Sequence, residues 1–180
     1  MTDQQSLARI LDDGYLDGLR DADMATVRER RRECERLETE LSYARRLLQG
    51  RIDILGDELD RRRDGRPSTA SELIQRLPAI LSDSPSGASQ RGNRLVRYLA
   101  PEDVQRVEHE LDLVLGMSLA EVAGADTPDV EAALVRLRAT ETDVSSDRRQ
   151  LHQRLDAIQA EMARRYRDGE ADVDSLLTQD

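Results

Sequence analysis

The sequence predicts an all-α protein whose two long helices form an antiparallel coiled coil. The chain of 180 residues has no Phe and no Trp, and its charged fraction of 36% nearly equals its apolar fraction of 38%. Such a composition suits a narrow seam of Leu, Ile, Val and Ala better than a globular core. Two stretches of about 40 residues carry apolar side chains at helical spacing. Because the two stretches match in length, a chain that folds back can bury their apolar faces against each other.

The N-terminal segment, 1–22, carries apolar residues at helical spacing and predicts one or two short helices. Asp23 can cap the first long helix, 23–63, by accepting hydrogen bonds from the amides of its first turn. A strict seven-residue repeat marks the apolar stripe of this helix: Val27, Cys34, Leu41, Leu48 and Leu55. This position predicts a packed thiol for Cys34 rather than a reactive one.

A small helical segment, 64–127, is predicted between the two long helices. The stretch DGRPSTA ends the first long helix, and a short helix follows, capped by Ser68 or Ser71 and kinked at Pro78. Another short helix is predicted to begin at Pro101, because proline fits the first turn of a helix.

The second long helix, 128–168, is predicted to begin at a Thr-Pro pair and is followed by an acidic tail, 169–180. Its apolar rhythm has two gaps, which fall at Glu141 and Arg148. The remaining stripe is Val130, Leu134, Leu137, Val144, Leu151, Leu155, Ile158 and Met162. The whole chain, 1–180, is therefore expected to form a single elongated helical domain. The alternative is a dimer in which each stripe packs against its own copy.

Charge and cysteine content narrow the range of possible functions. A net charge of −10 argues against direct binding of nucleic acid or of an anionic membrane. The single Cys34 excludes an internal disulfide, and we find neither a signal peptide nor an apolar run of membrane-spanning length. A cytoplasmic location is expected. The chain also lacks nucleophile–base constellations, metal-ligand spacings and a phosphate-binding glycine loop, so an enzyme, a catalytic residue or a metal site is not expected.

Polar residues recur at helical steps in two windows, ETELSYARRLLQGRID (38–53) and ETDVSSDRRQLHQRLD (141–156). The windows align without a gap at an offset of 103 residues and are identical at eight positions. On each helix the stripe lies beside the apolar one, in the same rotational sense. An antiparallel pair would therefore present both stripes on one face. The ten stripe residues are Glu38, Ser42, Arg45, Gln49, Asp53, Glu141, Ser145, Arg148, His152 and Asp156.

These residue types suit a guanine nucleotide. An arginine presents a planar fork to guanine O6 and N7 or to a phosphate, and a carboxylate accepts hydrogen bonds from guanine N1–H and N2–H. A repeated site with arginine and aspartate in both halves suits a two-fold ligand that carries two guanines and two phosphates.

The pattern Glu-x3-Ser-x2-Arg-x3-Gln-x3-Asp, present twice, resembles the nucleotide-binding signature of the RsiG family of anti-sigma factors. The resemblance implies that a cyclic di-GMP dimer binds the ten residues and that the loaded protein sequesters a WhiG-type sporulation sigma factor. It also implies an antiparallel coiled coil with one copy of the signature on each helix. His152 departs from the Gln of the pattern, which makes the second half-site a candidate for pH sensitivity.

One alternative remains open. A coiled-coil scaffold or adaptor without a small ligand would explain the composition and the heptads. It would not explain the repeated polar stripe, nor why Glu141 and Arg148 interrupt the apolar rhythm of their helix.

Overall fold

The computed structural model describes residues 4–83 and 104–169, and the regular elements in these ranges are helical. Their order is α1 (Gln4–Leu11), a 3-10 turn (Asp13–Leu16), α2 (Met24–Arg63), α3 (Ala70–Asp83), α4 (Val104–Leu115), a second 3-10 turn (Val122–Gly124) and α5 (Thr127–Arg167). Both long helices end within a residue of their predicted bounds. The prediction of an all-α fold with two long antiparallel helices is confirmed. The predicted helix start at Pro101 lies outside the described residues.

Local sequence signals start α2 at one end and stop it at the other. The Asp23 carboxylate accepts a hydrogen bond from the Thr26 amide at 2.7 Å, so Asp23 caps the helix as predicted. At the other end Gly65 adopts a left-handed φ of 72°. Its amide donates to the Arg62 carbonyl at 3.0 Å, and the next amide, of Arg66, donates to Arg61 at 2.9 Å. This pairing is a Schellman motif, which satisfies carbonyls that the last helical turn leaves open.

The apolar stripes of α2 and α5 are buried as predicted. The five residues of the seven-residue repeat on α2 are at most 3% exposed, and Cys34 is among them. On α5 all stripe residues except the half-buried Val144 are buried. Burial of each such side chain contributes about 1.5–3 kcal/mol, which makes the stripe the main source of helix stability.

The described chain divides into two compact units, and each long helix contributes a segment to both. Among the described residues, unit 1 is 40–83 and 104–145, and unit 2 joins 4–39 to 146–169. The single elongated domain expected from the sequence stays a prediction. Within the described ranges, no helix combines the length and the apolar character needed to cross a bilayer.

In unit 1, α3 and α4 pack on the long helices. Leu73 of α3 and Leu111 of α4 join one hydrophobic cluster with Leu55 of α2 and Leu137 of α5. The polar contacts give the helix direction: Gln49 contacts Glu141, whereas Arg62, near the end of α2, contacts Thr127 at the start of α5. The two helices are therefore antiparallel in this unit.

The cap of α3 differs from the prediction. Neither Ser68 nor Ser71 caps it; Thr69 does, through a capping box with Glu72. The Glu72 amide donates to the Thr69 hydroxyl at 3.3 Å, and the Glu72 carboxylate accepts from the Thr69 amide at 2.8 Å. Ser68 is instead buried, and its hydroxyl accepts hydrogen bonds from Arg61 and Arg76. Pro78 lies inside α3, which continues past it to Asp83.

In unit 2, α1 and the first 3-10 turn cover the long helices. Ile10 is fully buried, and Tyr15 lies against Arg30, whose guanidinium carbon is 5.6 Å from the ring centre. The Arg28 guanidinium donates to the Tyr166 hydroxyl at 3.0 Å. Since Glu38, further along α2, contacts Arg148, which lies earlier on α5, the helices are antiparallel here as well.

Candidate functional site

The predicted site residues lie on the middle turns of α2 and α5, at the edge of the apolar stripe. Eight of the ten are half-buried, whereas His152 and Asp156 are exposed. A position beside the buried seam holds the side-chain stems against the helices and leaves their polar ends accessible. Contacts between the two helices, together with contacts within α5, form two clusters, one in each unit.

Cluster 1 lies in unit 1 and consists of Arg45, Gln49, Glu141 and Ser145. One oxygen, Oε1 of Glu141, accepts a hydrogen bond from Ser145 Oγ at 2.9 Å and one from Gln49 Nε2 at 3.3 Å. Arg45 Nη1 is 3.8 Å from the same oxygen, which is an ion pair rather than a hydrogen bond. The carboxylate of α5 thus orients the arginine and the glutamine of α2.

Cluster 2 lies in unit 2 and consists of Glu38, Arg148 and His152. Arg148 Nη2 donates to Glu38 Oε1 at 3.0 Å, and His152 Nε2 is 3.5 Å from that oxygen. The two α5 side chains also meet each other, with Arg148 Nη2 and His152 Nε2 separated by 3.3 Å. Here the carboxylate of α2 orients the arginine and the histidine of α5, with the roles of the helices exchanged.

Both arginines keep an unused donor. The buried Nε atoms of Arg45 and Arg148 have no hydrogen-bond partner within the described residues, and neither does Oε1 of Gln49. A buried donor without a partner costs about 1–3 kcal/mol. A ligand that supplied acceptors to the two Nε atoms and a donor to Gln49 Oε1 would recover that cost in binding free energy.

The remaining three stripe residues are Ser42, Asp53 and Asp156. Ser42 and Asp53 are half-buried on α2 and have polar interactions of their own. Asp156 is exposed on α5, one helical turn after His152. The described structure therefore brings together seven of the ten predicted residues in two groups, and Asp156 stands at the solvent-facing edge.

Sequence reasoning missed a buried ion pair in unit 1, which we call clamp 1: Glu58 and Arg62. Arg62 Nε donates to the fully buried Glu58 carboxylate at 2.7 Å. The other Arg62 nitrogens donate to the carbonyls of Val122 at 2.7 Å and Ala125 at 2.8 Å, just before α5. Burial acts to raise the pKa of Glu58, but hydrogen bonds from Arg62 and Ser68 outweigh it and lower that pKa.

The corresponding pair in unit 2, clamp 2, is Glu161 and Arg165. Arg165 Nε donates to the Glu161 carboxylate at 2.7 Å. Its other nitrogens donate to the carbonyls of Leu19 at 2.8 Å and Ala22 at 2.7 Å, just before α2. Hydrogen bonds from Arg164 and Arg165 lower the pKa of Glu161 to about 2.

The clamps extend the internal repeat. Glu161 and Arg165 follow Glu58 and Arg62 at the same offset of 103 residues. The carbonyls that clamp 1 holds, of Val122 and Ala125, in turn follow those of Leu19 and Ala22 by 103 residues. Each clamp fastens the end of one long helix to the segment that precedes the other. The offset was the signal that could have found them, because it already related the polar stripes.

Comparison with known proteins agrees with the sequence pattern. A protein-family model described as RsiG-like matches residues 13–81 and 117–179, which together are most of the chain. Both long helices, the two clusters and both clamps fall inside these ranges. The resemblance stated from the sequence is thereby confirmed. A search of curated proteins finds no match to this chain.

Proposed function

This chain belongs to the RsiG-like family, a regulatory family whose membership implies an anti-sigma factor role, and on that premise we propose that it responds to cyclic di-GMP. In the proposal a cyclic di-GMP dimer binds the ten stripe residues. The loaded protein then sequesters a WhiG-type sporulation sigma factor in the cytoplasm, so that a falling nucleotide level releases the sigma factor.

The chemistry of each cluster supports a guanine nucleotide. An arginine that is held on one side by a carboxylate keeps its remaining N–H groups oriented for guanine O6 and N7 or for a phosphate oxygen. Arg45 and Arg148 are such arginines, because each is partly exposed and has a carboxylate partner from the other helix. The carboxylates of Glu38 and Glu141 can in turn accept from guanine N1–H and N2–H.

The recurrence of the set supports a ligand that is itself repeated. Carboxylate, arginine and a third polar side chain occur once with α5 supplying the carboxylate and once with α2 supplying it. A dimer of cyclic di-GMP offers several guanines and phosphates in a symmetric arrangement. This exchange of roles between the two helices is the observation that carries the proposal, since an ordinary charged surface has no reason to repeat it.

Calorimetric titration of cyclic di-GMP tests the assignment. We expect Arg45→Ala and Arg148→Ala each to abolish measurable binding, while circular dichroism at 222 nm stays unchanged. The matched controls are Arg63→Ala on α2 and Arg138→Ala on α5, two exposed arginines outside the clusters. Wild-type affinity in both cluster variants would remove these residues from the site.

A thermal melt separates the proposal from a scaffold without a ligand. At about 100 times its dissociation constant, a ligand stabilises the folded state by about 2.7 kcal/mol. For a chain of this size that corresponds to a rise in melting temperature of roughly 5–10 °C. A melting temperature that cyclic di-GMP leaves unmoved would favour the scaffold.

The sigma factor is tested by gel filtration with purified WhiG-type sigma factor. We expect a stable complex with cyclic di-GMP and a much weaker one without it. Because nucleotide and sigma factor are proposed to favour the same state, each must raise the affinity for the other by the same factor. A complex of equal stability with and without nucleotide would show that the two do not communicate.

A further inference from the structure

His152 takes the place in cluster 2 that Gln49 takes in cluster 1, and the two side chains differ in one property. An amide donates at every pH, whereas an imidazole nitrogen donates only when it carries a proton. We propose that protonation of His152 increases the affinity of cluster 2 for an anionic nucleotide, so that nucleotide binding responds to pH. This inference rests on the proposed function, because it concerns the same ligand at the same site.

Arg148 and His152 compete for one carboxylate oxygen of Glu38. Glu38 Oε1 is 3.0 Å from Arg148 Nη2 and 3.5 Å from His152 Nε2, so one carboxylate oxygen faces two possible donors. A guanidinium can only donate, and its contact with His152 Nε2 at 3.3 Å is therefore a hydrogen bond only when that nitrogen has no proton. In this state Arg148 is committed to both Glu38 and His152.

Cluster 1 provides the comparison within the same chain. Gln49 donates to Glu141 Oε1, and there the arginine stands 3.8 Å from the oxygen instead of 3.0 Å. Ser145 also donates to this oxygen, at 2.9 Å, so the arginine is held less closely where other side chains donate to the carboxylate. A protonated His152 becomes a donor like Gln49, and we expect Arg148 to withdraw from Glu38 as Arg45 withdraws from Glu141.

Two effects of the proton then act in the same direction. Arg148 loses an acceptor at His152 and shares Glu38, which leaves more of its N–H groups for guanine or phosphate oxygens. The imidazolium also adds one positive charge beside a site for a ligand that carries phosphates. Both effects strengthen binding of an anion as the pH falls.

The charges near His152 do not cancel this effect. Its direct charged neighbours are Glu38 from α2 and Arg148 from its own helix. The charged residues one helical turn from these three are of both signs: Glu35, Arg149 and Asp156. Glu35 is paired with Arg31 on the exposed side of α2. His152 itself is half-exposed, so solvent protons reach it without a change in fold.

Calorimetry of the full chain with cyclic di-GMP between pH 6 and pH 8 tests the inference. Histidine side chains titrate across this range, and we expect wild-type affinity to rise about three- to tenfold from pH 8 to pH 6. Titrations in two buffers of different ionisation enthalpy should detect uptake of part of a proton on binding. The ligand's phosphodiesters stay charged throughout, so a proton taken up from the buffer must bind to the protein.

Three variants locate the proton. His152→Gln copies cluster 1, and we expect it to bind tighter than wild type at pH 8 and without pH dependence. Gln49→His should steepen the pH dependence by adding a second titrating side chain. The control is His109→Gln, which removes the only other histidine, exposed on α4, and should leave the pH dependence intact.

The outcomes distinguish this inference from the proposed function. No cyclic di-GMP binding by the wild type at any pH overturns the function, and the inference with it. Binding that is independent of pH overturns the inference alone. So does a pH dependence that survives in His152→Gln, because the titrating group would then lie elsewhere.

Discussion

Arg62→Ala should be among the most damaging single substitutions in unit 1. The Arg62 side chain is 9% exposed, and its guanidinium donates to the fully buried Glu58 carboxylate and to the carbonyls of Val122 and Ala125. Removing one partner of a buried ion pair costs about 3–5 kcal/mol, because a charge is left without compensation. The amide of Ser68 still reaches Glu58, and water can reach part of the vacated space, so we expect about 3–4 kcal/mol.

Urea unfolding followed by circular dichroism at 222 nm measures this loss, and hydrogen exchange locates it. Amide protection should fall near Val122 and Val130, at the start of α5. The matched control is the exposed neighbour Arg63, which pairs with Asp60 at the surface. Arg63→Ala should lower the free energy of unfolding by less than about 1 kcal/mol.

A double variant separates the cost of the uncompensated charge from the loss of the Arg62 contacts. In the double variant Glu58→Leu with Arg62→Met no buried charge remains, so it should be more stable than Arg62→Ala alone. If Arg62→Ala costs no more than Arg63→Ala, the clamp does not stabilise the helix end. If the double variant is the less stable one, the cost does not come from an uncompensated carboxylate.

Three further predictions concern stability. The pKa of Glu161 is about 2, below its unfolded value, so its contribution is present above about pH 4.5 and is lost as the pH falls towards 2. After allowance for solvent screening this loss is about 1–2 kcal/mol, and acid titration of Glu161→Gln should lack it. Leu55→Ala, at a fully buried seam position, should cost about 2–5 kcal/mol in urea unfolding, and a smaller loss would mean that the seam closes around the cavity. Thr69→Ala removes the cap of α3 and should cost about 0.5–2 kcal/mol, whereas the same change at Ser71 should have almost no effect.

Most of the fold could be predicted from periodicity. The stripe from Val27 to Leu55 fixes a continuous buried face, and a stretch without proline lets one helix run the whole distance. The cap of α3 was missed because serine, threonine and aspartate compete as caps within a few residues. The reciprocal bond between Thr69 and Glu72 decides among them, and it was present as a Thr-x-x-Glu pattern.

The candidate site could be predicted less completely. Helical spacing gives the rotational position of Arg45 and Arg148, but it does not give the axial register of one helix against the other. That register depends on the packing of the seam and on the clamps, so the pairing of Glu38 with His152 could not be read from either window alone. The buried pair of Glu58 and Arg62 looked like ordinary surface charge, since an i, i+4 pair has the same sequence pattern whether exposed or buried.

The clamps make helix length a constraint on this chain. In unit 1 the stretch from Gln49 to Arg62 and the stretch from Thr127 to Glu141 are almost equally long, roughly 20 Å each at about 1.5 Å per residue. Inserting one residue into either stretch would rotate the following side chains by about 100° about the helix axis. The Gln49 amide would then no longer reach the Glu141 carboxylate. An insertion beyond the fastened ends would leave this register intact, whereas one between clamp 1 and cluster 1 would disrupt it.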